Sequence, residues 1–391
     1  HPHRFLPMSS KAQRYFRSTL GKPLGAQPPD GRRYLALIDE LREMFHRGDA
    51  PVHGFPDLAL AAWLAEQSPA AEAEAPSSPA IADAPQEPAQ PAASAPYTID
   101  DIVAEGCFLE RAEIEIALAR LKVRKNLILQ GPPGTGKTWL ARRLAYAWVG
   151  AKDDTRVEAV QFHANSSYED LVCGYRPGAD GRLTMADGSI LQAVVRAADS
   201  LDRPFVLVIE EFNRGNPAHV LGELLTLLEA GQRSSEHELR LAYPDANGRP
   251  RRLFIPENFY LIGTMNVADR SLATLDYALR RRFAFVDLQP AFNKRWANWL
   301  GDHGVEAKFA EAARTRIERL NDRIASDTRL GPQYAVGHSY ITPRQHVAEP
   351  AAWFRAVVET EIGPLLDEYW FDEPATAKDA RARLLEDWPP L

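Results

Sequence analysis

The octapeptide GPPGTGKT at residues 131–138 restricts the possible folds of this chain more than any other segment. It fits the pattern G-x-x-x-x-G-K-[ST], follows the apolar run NLILQ and precedes the helical run WLARRLAYAWVG. A strand, a glycine-rich loop and a helix in that order form a phosphate-binding loop, in which backbone N–H groups and the helix N-terminus face a phosphate. This context disfavours the alternative, a Gly/Pro-rich turn without a ligand.

The residues of this phosphate-binding loop, the P-loop, have separate expected roles. Lys137 is expected to bridge the β- and γ-phosphates of a nucleotide, and the Thr138 hydroxyl is expected to ligate Mg²⁺. The predicted nucleotide-binding residues are Gly131, Pro132, Pro133, Gly134, Thr135, Gly136, Lys137, Thr138 and Trp139.

A second segment, PFVLVIEEFNR at 204–214, predicts the catalytic carboxylates. It is apolar until two glutamates, and ligands bind at the carboxyl end of a buried parallel strand in an open α/β sheet. Glu210 takes the place of the metal-associated acid, usually an aspartate, and its longer side chain can hold Mg²⁺ through water. Glu211 is expected to be the general base that polarises the attacking water. A merely solvated acidic pair is the alternative.

A third segment, FYLIGTMNVADRSLATLDYALRRRF at 259–283, predicts a strand that ends at Asn266 and an amphipathic helix after it. Asn266 is expected to orient water at the γ-phosphate. Leu272, Leu275 and Leu279 fall on one face of the predicted helix. The arginines at 280–282 have two possible roles: an arginine finger that reaches the nucleotide of a neighbouring subunit, or cations that complement the helix dipole.

Composition and periodicity divide the chain into four parts. Residues 1–67 have apolar residues at helical spacing and predict a small helical N-terminal module. Residues 68–96 are rich in Ala and Pro and predict a flexible linker. Residues 97–289 alternate apolar runs with helical stretches and predict a parallel α/β domain. Residues 290–391 predict a helical lid. The candidate strands are 126–130, 157–162, 204–210, 259–265 and 283–288.

The overall composition excludes several other classes of protein. No apolar run reaches the ~18 residues of a membrane-spanning helix, and the N-terminus lacks the apolar core of a secretory signal, so a cytoplasmic location is expected. Two cysteines are too few for a thiolate zinc site, so any metal is expected to have oxygen ligands. A net charge of −7 means that the chain as a whole is not an electrostatic nucleic-acid binder.

The chain resembles an AAA+ nucleoside triphosphatase. The resemblance rests on five features in this order: the P-loop, the acid pair, the asparagine at the strand end, the arginine cluster and the helical C-terminal region. More narrowly, residues 97–375 resemble the McrB family, the nucleotide-driven motor subunits of modification-dependent restriction systems. The segments that carry the resemblance are QFHANSSYEDLVCGYRP, EEFNRGNPAHVLGELLTLLE, GTMNVADRSLATLDYALRRRF, GHSYI and TEIGPLLDEYWFDEP.

The resemblance implies a three-layer αβα P-loop fold with a helical lid and a Mg²⁺-dependent hydrolase. In that family the MNxxDR signature organises the catalytic water, which here involves Asn266, Asp269 and Arg270, while Arg281 or Arg282 acts in trans. It also implies a hexameric ring that prefers GTP and a separate nuclease subunit of the McrC type, with DNA bound through the complex. ATP stays open as the nucleotide. Residues 1–67 do not resemble the modified-DNA-binding domain of that family.

Some features and functions keep alternative interpretations. Segments 174–188 and 237–256 both predict hairpins, and the arginines of the second either face a central pore or form ordinary charged surface: Arg240, Arg249, Arg251 and Arg252. His163 and His338 are interpreted as structural polar residues, with nucleotide contact by the GHSY segment as the alternative. A MoxR-like chaperone that remodels a protein partner is the alternative function, and a nucleotide-dependent binding platform with little hydrolysis is a third.

Overall fold

The computed structural model describes residues 95–177, 182–245, 248–268 and 277–388, which belong to one compact unit. The helical module predicted at 1–67 lies outside the described residues, as does nearly all of the linker predicted at 68–96. The division of the chain into domains therefore stays a prediction.

A parallel sheet forms the centre of the described part of the chain. The strands of the protein are β1 (Asn126–Gly131), β2 (Val157–Gln161), β3 (Cys173–Pro177), β4 (Leu183–Asp187), β5 (Phe205–Glu210), β6 (Leu239–Arg240), β7 (Arg252–Leu253), β8 (Phe259–Asn266) and β9 (Ala284–Asp287). Within the described ranges, five of them pair in parallel in the order β2-β5-β8-β1-β9. The five candidate strands are thus confirmed, each to within one residue at either end.

Strand register brings the functional segments to one edge of the sheet. Gly131 at the end of β1 lies opposite Asn266 at the end of β8. On the other side of β8, Ile209 pairs with Gly263, so that Glu210 follows at the same edge. The carboxyl ends of the three central strands, which precede or carry the predicted phosphate, acid and sensor residues, therefore meet.

Helices cover both faces of the sheet and form the C-terminal region. They are α1 (Ile99–Ala104), α2 (Arg111–Arg124), α3 (Lys137–Val149), α4 (Tyr168–Leu171), α5 (Ser189–Ala198), α6 (Pro217–Leu221), α7 (Leu224–Leu227), α8 (Tyr277–Arg282), α9 (Lys294–Asp302), α10 (Ala307–Ser326), α11 (Pro350–Val357), α12 (Gly363–Tyr369) and α13 (Pro374–Leu385). A π-helical turn, Val358–Ile362, joins α11 to α12, and short 3₁₀ turns occur at Ala230–Gln232, Ser235–His237, Pro332–Tyr334 and His338–Ile341.

Two hydrophobic cores lie on opposite faces of the sheet. Leu127 and Leu129 of β1 pack with α1, α2 and α3, whereas Ile128 packs on the side of α5, α6 and α7. Successive side chains of a strand point to opposite faces, so the stretch of a strand that is buried on both faces is apolar, as residues 127–129 of β1 and 205–209 of β5 are. The three-layer αβα fold is confirmed.

The lid has a hydrophobic core of its own. Helices α9 to α13 pack around Trp296 and Trp370, both fully buried. Between residues 290 and 388 the structure contains no strand, as the sequence predicts. None of the helices within the described ranges combines the length and apolarity needed to cross a membrane.

Both predicted hairpins are confirmed. Strand β3 pairs antiparallel with β4, and β6 pairs antiparallel with β7, while 178–181 and 246–247 lie outside the described residues. Arg251 of the second hairpin segment forms a two-pronged ion pair with Asp187 of β4, one arm of which measures 2.8 Å. Arg251 is therefore engaged with the other hairpin.

Candidate nucleotide site

A cavity of about 640 Å³ opens at the carboxyl edge of the sheet and holds most of the predicted site. Seven of the nine predicted nucleotide-binding residues, 133–139, line it together with Glu210, Glu211 and Asn266. Gly131 and Pro132 do not line it, but their carbonyls accept hydrogen bonds from Lys137 Nζ at 3.0 and 2.7 Å. In this structure the lysine ammonium is thus held by carbonyls of the P-loop itself.

The P-loop backbone has the conformation that phosphate binding needs. Gly134 and Gly136 have φ values of 76° and 77°, in the left-handed region that favours glycine. Gly136 is the N-cap of the 13-residue helix α3, so the positive end of a long helix dipole faces the cavity. These features suit an anionic ligand.

The predicted catalytic carboxylate and the predicted water-orienting asparagine are in direct contact. Asn266 Nδ2 donates to the two carboxylate oxygens of Glu211 at 3.2 and 3.3 Å. Arg214 Nε donates to the same carboxylate at 3.1 Å. The sequence interpretation paired Glu211 with Asn266 by role, but it gave no role to Arg214, although the EEFNR segment contains it.

The backbone at Glu211 leaves the strand abruptly. Its φ of 55° is left-handed, which costs on the order of 1–3 kcal/mol for a residue with a side chain. Hydrogen bonds to β8 hold it there, because Glu211 N–H donates to Thr264 Oγ1 at 3.3 Å and Phe212 N–H donates to the Thr264 carbonyl at 2.8 Å. Strain of this kind is typical of functional residues, and it turns the carboxylate into the cavity.

The lid touches the P-loop through backbone hydrogen bonds from the GHSY segment. Gly337 N–H donates to the Pro133 carbonyl at 3.0 Å, and Ser339 N–H donates to the Gly134 carbonyl at 2.9 Å. In a planar trans peptide the N–H points away from the C=O, so these bonds direct the N–H groups of Gly134 and Thr135 away from the lid segment. We call this pair of hydrogen bonds the lid clasp.

His338 has one structural nitrogen and one that faces the cavity. Its Nδ1 accepts a hydrogen bond from Ala291 N–H at 3.0 Å, so the ring proton lies on Nε2. Burial lowers the pKa of His338 to about 4, and the imidazole is neutral at physiological pH. Nε2 lies 4.0 Å from where a Cβ on Gly136 would stand. Both interpretations of His338 therefore fit its geometry, whereas His163 is exposed and outside the cavity.

The far end of the cavity is built from residues that carry no sequence motif. The segment 105–109, Trp299 and residues 342–344 line it. Arg143 stacks over the Trp139 ring at 3.8 Å and forms an ion pair with Glu105 at 2.7 Å. Phe108, Leu109 and Trp299 give this end an aromatic and apolar surface that suits a nucleoside, and the sequence predicted none of these three residues.

The two candidate finger arginines differ sharply in exposure. The Arg281 side chain is 66% exposed, whereas that of Arg282 is 8% exposed and donates to the Ala278 carbonyl at 2.8 Å. Both lie 3.9 Å from a carboxylate oxygen of Glu229, and neither lines the cavity of its own chain. Arg281 is the one placed to reach another molecule.

Comparison with known families gives two matches in the expected order. Residues 126–283 match the AAA domain of the dynein-related subfamily, and residues 312–378 match the alpha-helical lid domain of McrB. The chain belongs to the McrB-like AAA+ family. In this McrB-like chain the first match includes the P-loop, both glutamates and the arginine cluster, and the second includes most of the lid.

Relatives of this McrB-like chain include restriction proteins. It is 39% identical over 295 residues to the EcoKMcrB subunit of the type IV methyl-directed restriction enzyme of Escherichia coli K12, a match that covers 74% of this chain and 63% of that subunit. Component YdiS of the type II restriction enzyme BsuMI of Bacillus subtilis 168 is 24% identical over 250 residues, covering 54% and 72%. The uncharacterised YehL of E. coli K12 is 27% identical over 179 residues, covering 45% of each.

The chain thus spans less than two thirds of the length of its E. coli McrB relative. The comparisons give no support to the MoxR-like chaperone. Asp269 and Arg270, predicted from the MNxxDR signature, lie outside the described residues, as do Leu272 and Leu275.

The predicted magnesium ligands fit that ion. Thr138 and Glu210 line the same cavity and supply oxygen atoms. Within the described residues no cluster of three His, Cys, Asp or Glu side chains could hold a metal by itself. Mg²⁺ commonly binds through one or two protein oxygens together with nucleotide phosphates and water, which is the arrangement that this cavity offers.

Proposed function

We propose that this chain is the nucleotide-hydrolysing motor subunit of an McrBC-like DNA restriction complex. The observation that carries the proposal is the contact between Glu211 and Asn266 at the mouth of a P-loop, in a chain related to a restriction enzyme subunit. A binding platform without hydrolysis does not require a strained carboxylate beside a water-orienting amide.

The reaction is hydrolysis of the γ-phosphate. Lys137 leaves the carbonyls of Gly131 and Pro132 and pairs with the phosphates. Asn266 orients the attacking water and Glu211 accepts its proton as the water oxygen bonds to the γ-phosphorus. The bond between the γ-phosphorus and the bridging oxygen breaks, which releases nucleoside diphosphate and phosphate. Thr138 and Glu210 would hold Mg²⁺, which would supply charge stabilisation for the phosphates. Asp269 and Arg270 complete the water site.

The nucleotide is proposed to be GTP, with ATP as the alternative, because the preference rests on the family alone. Competition of GTP and ATP against a labelled analogue decides between them. An ATP preference would leave the hydrolase proposal intact.

The working assembly is proposed to be a ring, hexameric in the family, in which Arg281 of one subunit completes the site of the next. A head-to-tail ring gives each subunit the same interface. The partners are a nuclease subunit of the McrC type and DNA bound through the complex. The cytoplasm stays the predicted location.

The test measures hydrolysis of GTP and ATP with and without the nuclease subunit and with modified or unmodified DNA. The proposal expects turnover that rises with the nuclease subunit and DNA cleavage that needs both proteins and nucleotide. Glu211→Gln is the control, because it should bind nucleotide without supporting cleavage. Turnover indifferent to the nuclease subunit, with no cleavage of any DNA, would refute the restriction function while leaving the hydrolase.

A further inference from the structure

Arg233, between the 3₁₀ turns 230–232 and 235–237, is a buried polar residue of the sheet domain that the mechanism leaves unused. Its side chain is among the largest fully buried ones, with 2% exposure. Burial lowers its pKa to about 9, so it stays charged at neutral pH. It forms no ion pair with a carboxylate in the described ranges. A buried cation without a counter-charge is costly.

Carbonyl and amide oxygens surround this guanidinium instead. Arg233 NH1 donates to the Phe259 carbonyl at the start of β8, at 2.7 Å. NH2 donates to Asn126 Oδ1 at the start of β1, at 2.6 Å, and to the Leu228 carbonyl at the end of α7, at 3.1 Å. One side chain therefore joins the amino ends of two central strands to a helix end.

Asn126 continues the connection to the arginine helix α8. It is fully buried, and its Nδ2 donates to the carbonyl of Arg282, the last residue of α8, at 3.0 Å. The same Nδ2 donates to the Leu228 carbonyl at 2.7 Å. The residue after Leu228 is Glu229, whose carboxylate lies 3.9 Å from both Arg281 and Arg282. Arg233 is thus connected to the arginine pair in two ways, through Asn126 and through Leu228 and Glu229.

These contacts help to hold the C-terminal end of α8. The last carbonyls of a helix have no partner within the helix, and α8 has only six residues. The Arg282 carbonyl is held by Asn126, and the Arg281 carbonyl is approached by Arg124 NH1 at 3.4 Å. Because β1 carries the P-loop at its other end, this strand fixes the relative position of the α8 end and the phosphate site.

We propose that Arg233, through Asn126, is a positioning residue that sets the direction in which Arg281 leaves the subunit surface toward the nucleotide of a neighbouring subunit. The inference rests on the proposed trans role of Arg281. An apolar side chain of the same volume would fill the space without the desolvation cost of a buried cation. The fork of donors instead specifies the geometry of three backbone segments at once.

Mixed rings test this role. Arg233→Met keeps most of the side-chain volume and removes the donors, and Arg203→Met, at an exposed arginine, is the matched control. Nucleotide affinity should stay within about twofold of wild type. Turnover should fall roughly 10- to 100-fold, because a misplaced catalytic group costs about that much.

Arg233→Met subunits are then mixed with Glu211→Gln subunits, which keep an intact Arg281 and an intact Arg233. The mixture should turn over nucleotide faster than the sum of the two variants measured alone. Arg281→Ala mixed with Glu211→Gln should do the same. If Arg281→Ala is rescued and Arg233→Met is not, the positioning role is wrong and the trans arginine stands. If neither variant is rescued although the rings assemble, the positioning role of Arg233 and the trans role of Arg281 are both wrong.

Asn126→Ser provides a second variant in case Arg233→Met does not fold. It shortens the donor to the Arg282 carbonyl and leaves Arg233 its contacts with Leu228 and Phe259. The same loss and the same rescue are expected. Wild-type turnover by a folded Asn126→Ser protein would overturn the inference, since the proposed connection runs through this amide.

Discussion

Replacing Gly337 by alanine should break the lid clasp and weaken nucleotide binding. The φ of Gly337 is −75°, which alanine adopts without strain. The substitution therefore tests only the steric effect of the added Cβ. A Cβ at this position would lie 2.1 Å from both the carbonyl carbon and the carbonyl oxygen of Gly134. Those atoms belong to the P-loop backbone and cannot turn aside as a side chain can, so the lid segment must move.

The size of the effect follows from the bonds that this movement removes. The clasp consists of two backbone hydrogen bonds, of 3.0 and 2.9 Å, from Gly337 and Ser339 to the P-loop. At about 0.5–1.5 kcal/mol each, their loss amounts to about 1–3 kcal/mol. If the bound state needs the clasp to direct the loop N–H groups toward phosphate, nucleotide affinity should fall roughly 5- to 150-fold.

The assay is equilibrium binding of a fluorescent nucleotide analogue, with thermal unfolding measured in parallel. Gly301→Ala is the control, because it lies in α9 of the same lid and a Cβ there meets no atom within 4 Å. The control should bind nucleotide as wild type does. If Gly337→Ala also binds within twofold of wild type, the lid clasp does not shape the P-loop and the reasoning is refuted.

The remaining predictions concern single side chains of the site. Lys137→Ala should weaken nucleotide binding, whereas Glu211→Gln should keep it and lower turnover by roughly 10²-fold or more; equal loss of binding in both would contradict their assignment. Arg281→Ala should abolish the concentration-dependent part of turnover at unchanged melting temperature, and Arg282→Ala, at the buried position, should lower the melting temperature; the reverse pattern would exchange their roles. Because the pKa of His338 is about 4 in the fold and about 6.5 in the unfolded chain, only the unfolded chain binds this proton between those values. The free energy of unfolding should therefore fall by about 2 kcal/mol between pH 6.5 and 5, and His338→Asn should lack that decrease in urea titrations.

The sheet and the phosphate end of the site could be predicted because their signals are local in sequence. The P-loop is defined by eight consecutive residues, and β5 is recognisable because both of its faces are buried. Glu211 and Asn266 could be paired by role, since parallel strands end at one edge. Their direct contact depends on the left-handed turn at Glu211, which no pattern in EEFNR indicates.

Other features depend on tertiary contacts and could not be predicted. Arg281 and Arg282 are identical neighbours in sequence, and only the packing of α8 separates the exposed one from the buried one. The same holds for Arg233, which the sequence presents as one more polar residue in a loop. The lid clasp joins segments about 200 residues apart. It consists of backbone hydrogen bonds, which do not depend on residue type and so cannot be recognised in the sequence.

The ion pair between Arg251 and Asp187 connects two hairpins that are distant in sequence. One hairpin leads through Gly188 directly into α5, and the other leads toward β8. A displacement of either hairpin would therefore reach the other through this ion pair, and the two hairpins join the sheet domain at two different points. One of those points is the strand that ends at Asn266, so the second hairpin is connected through a continuous backbone to the residue that contacts the Glu211 carboxylate.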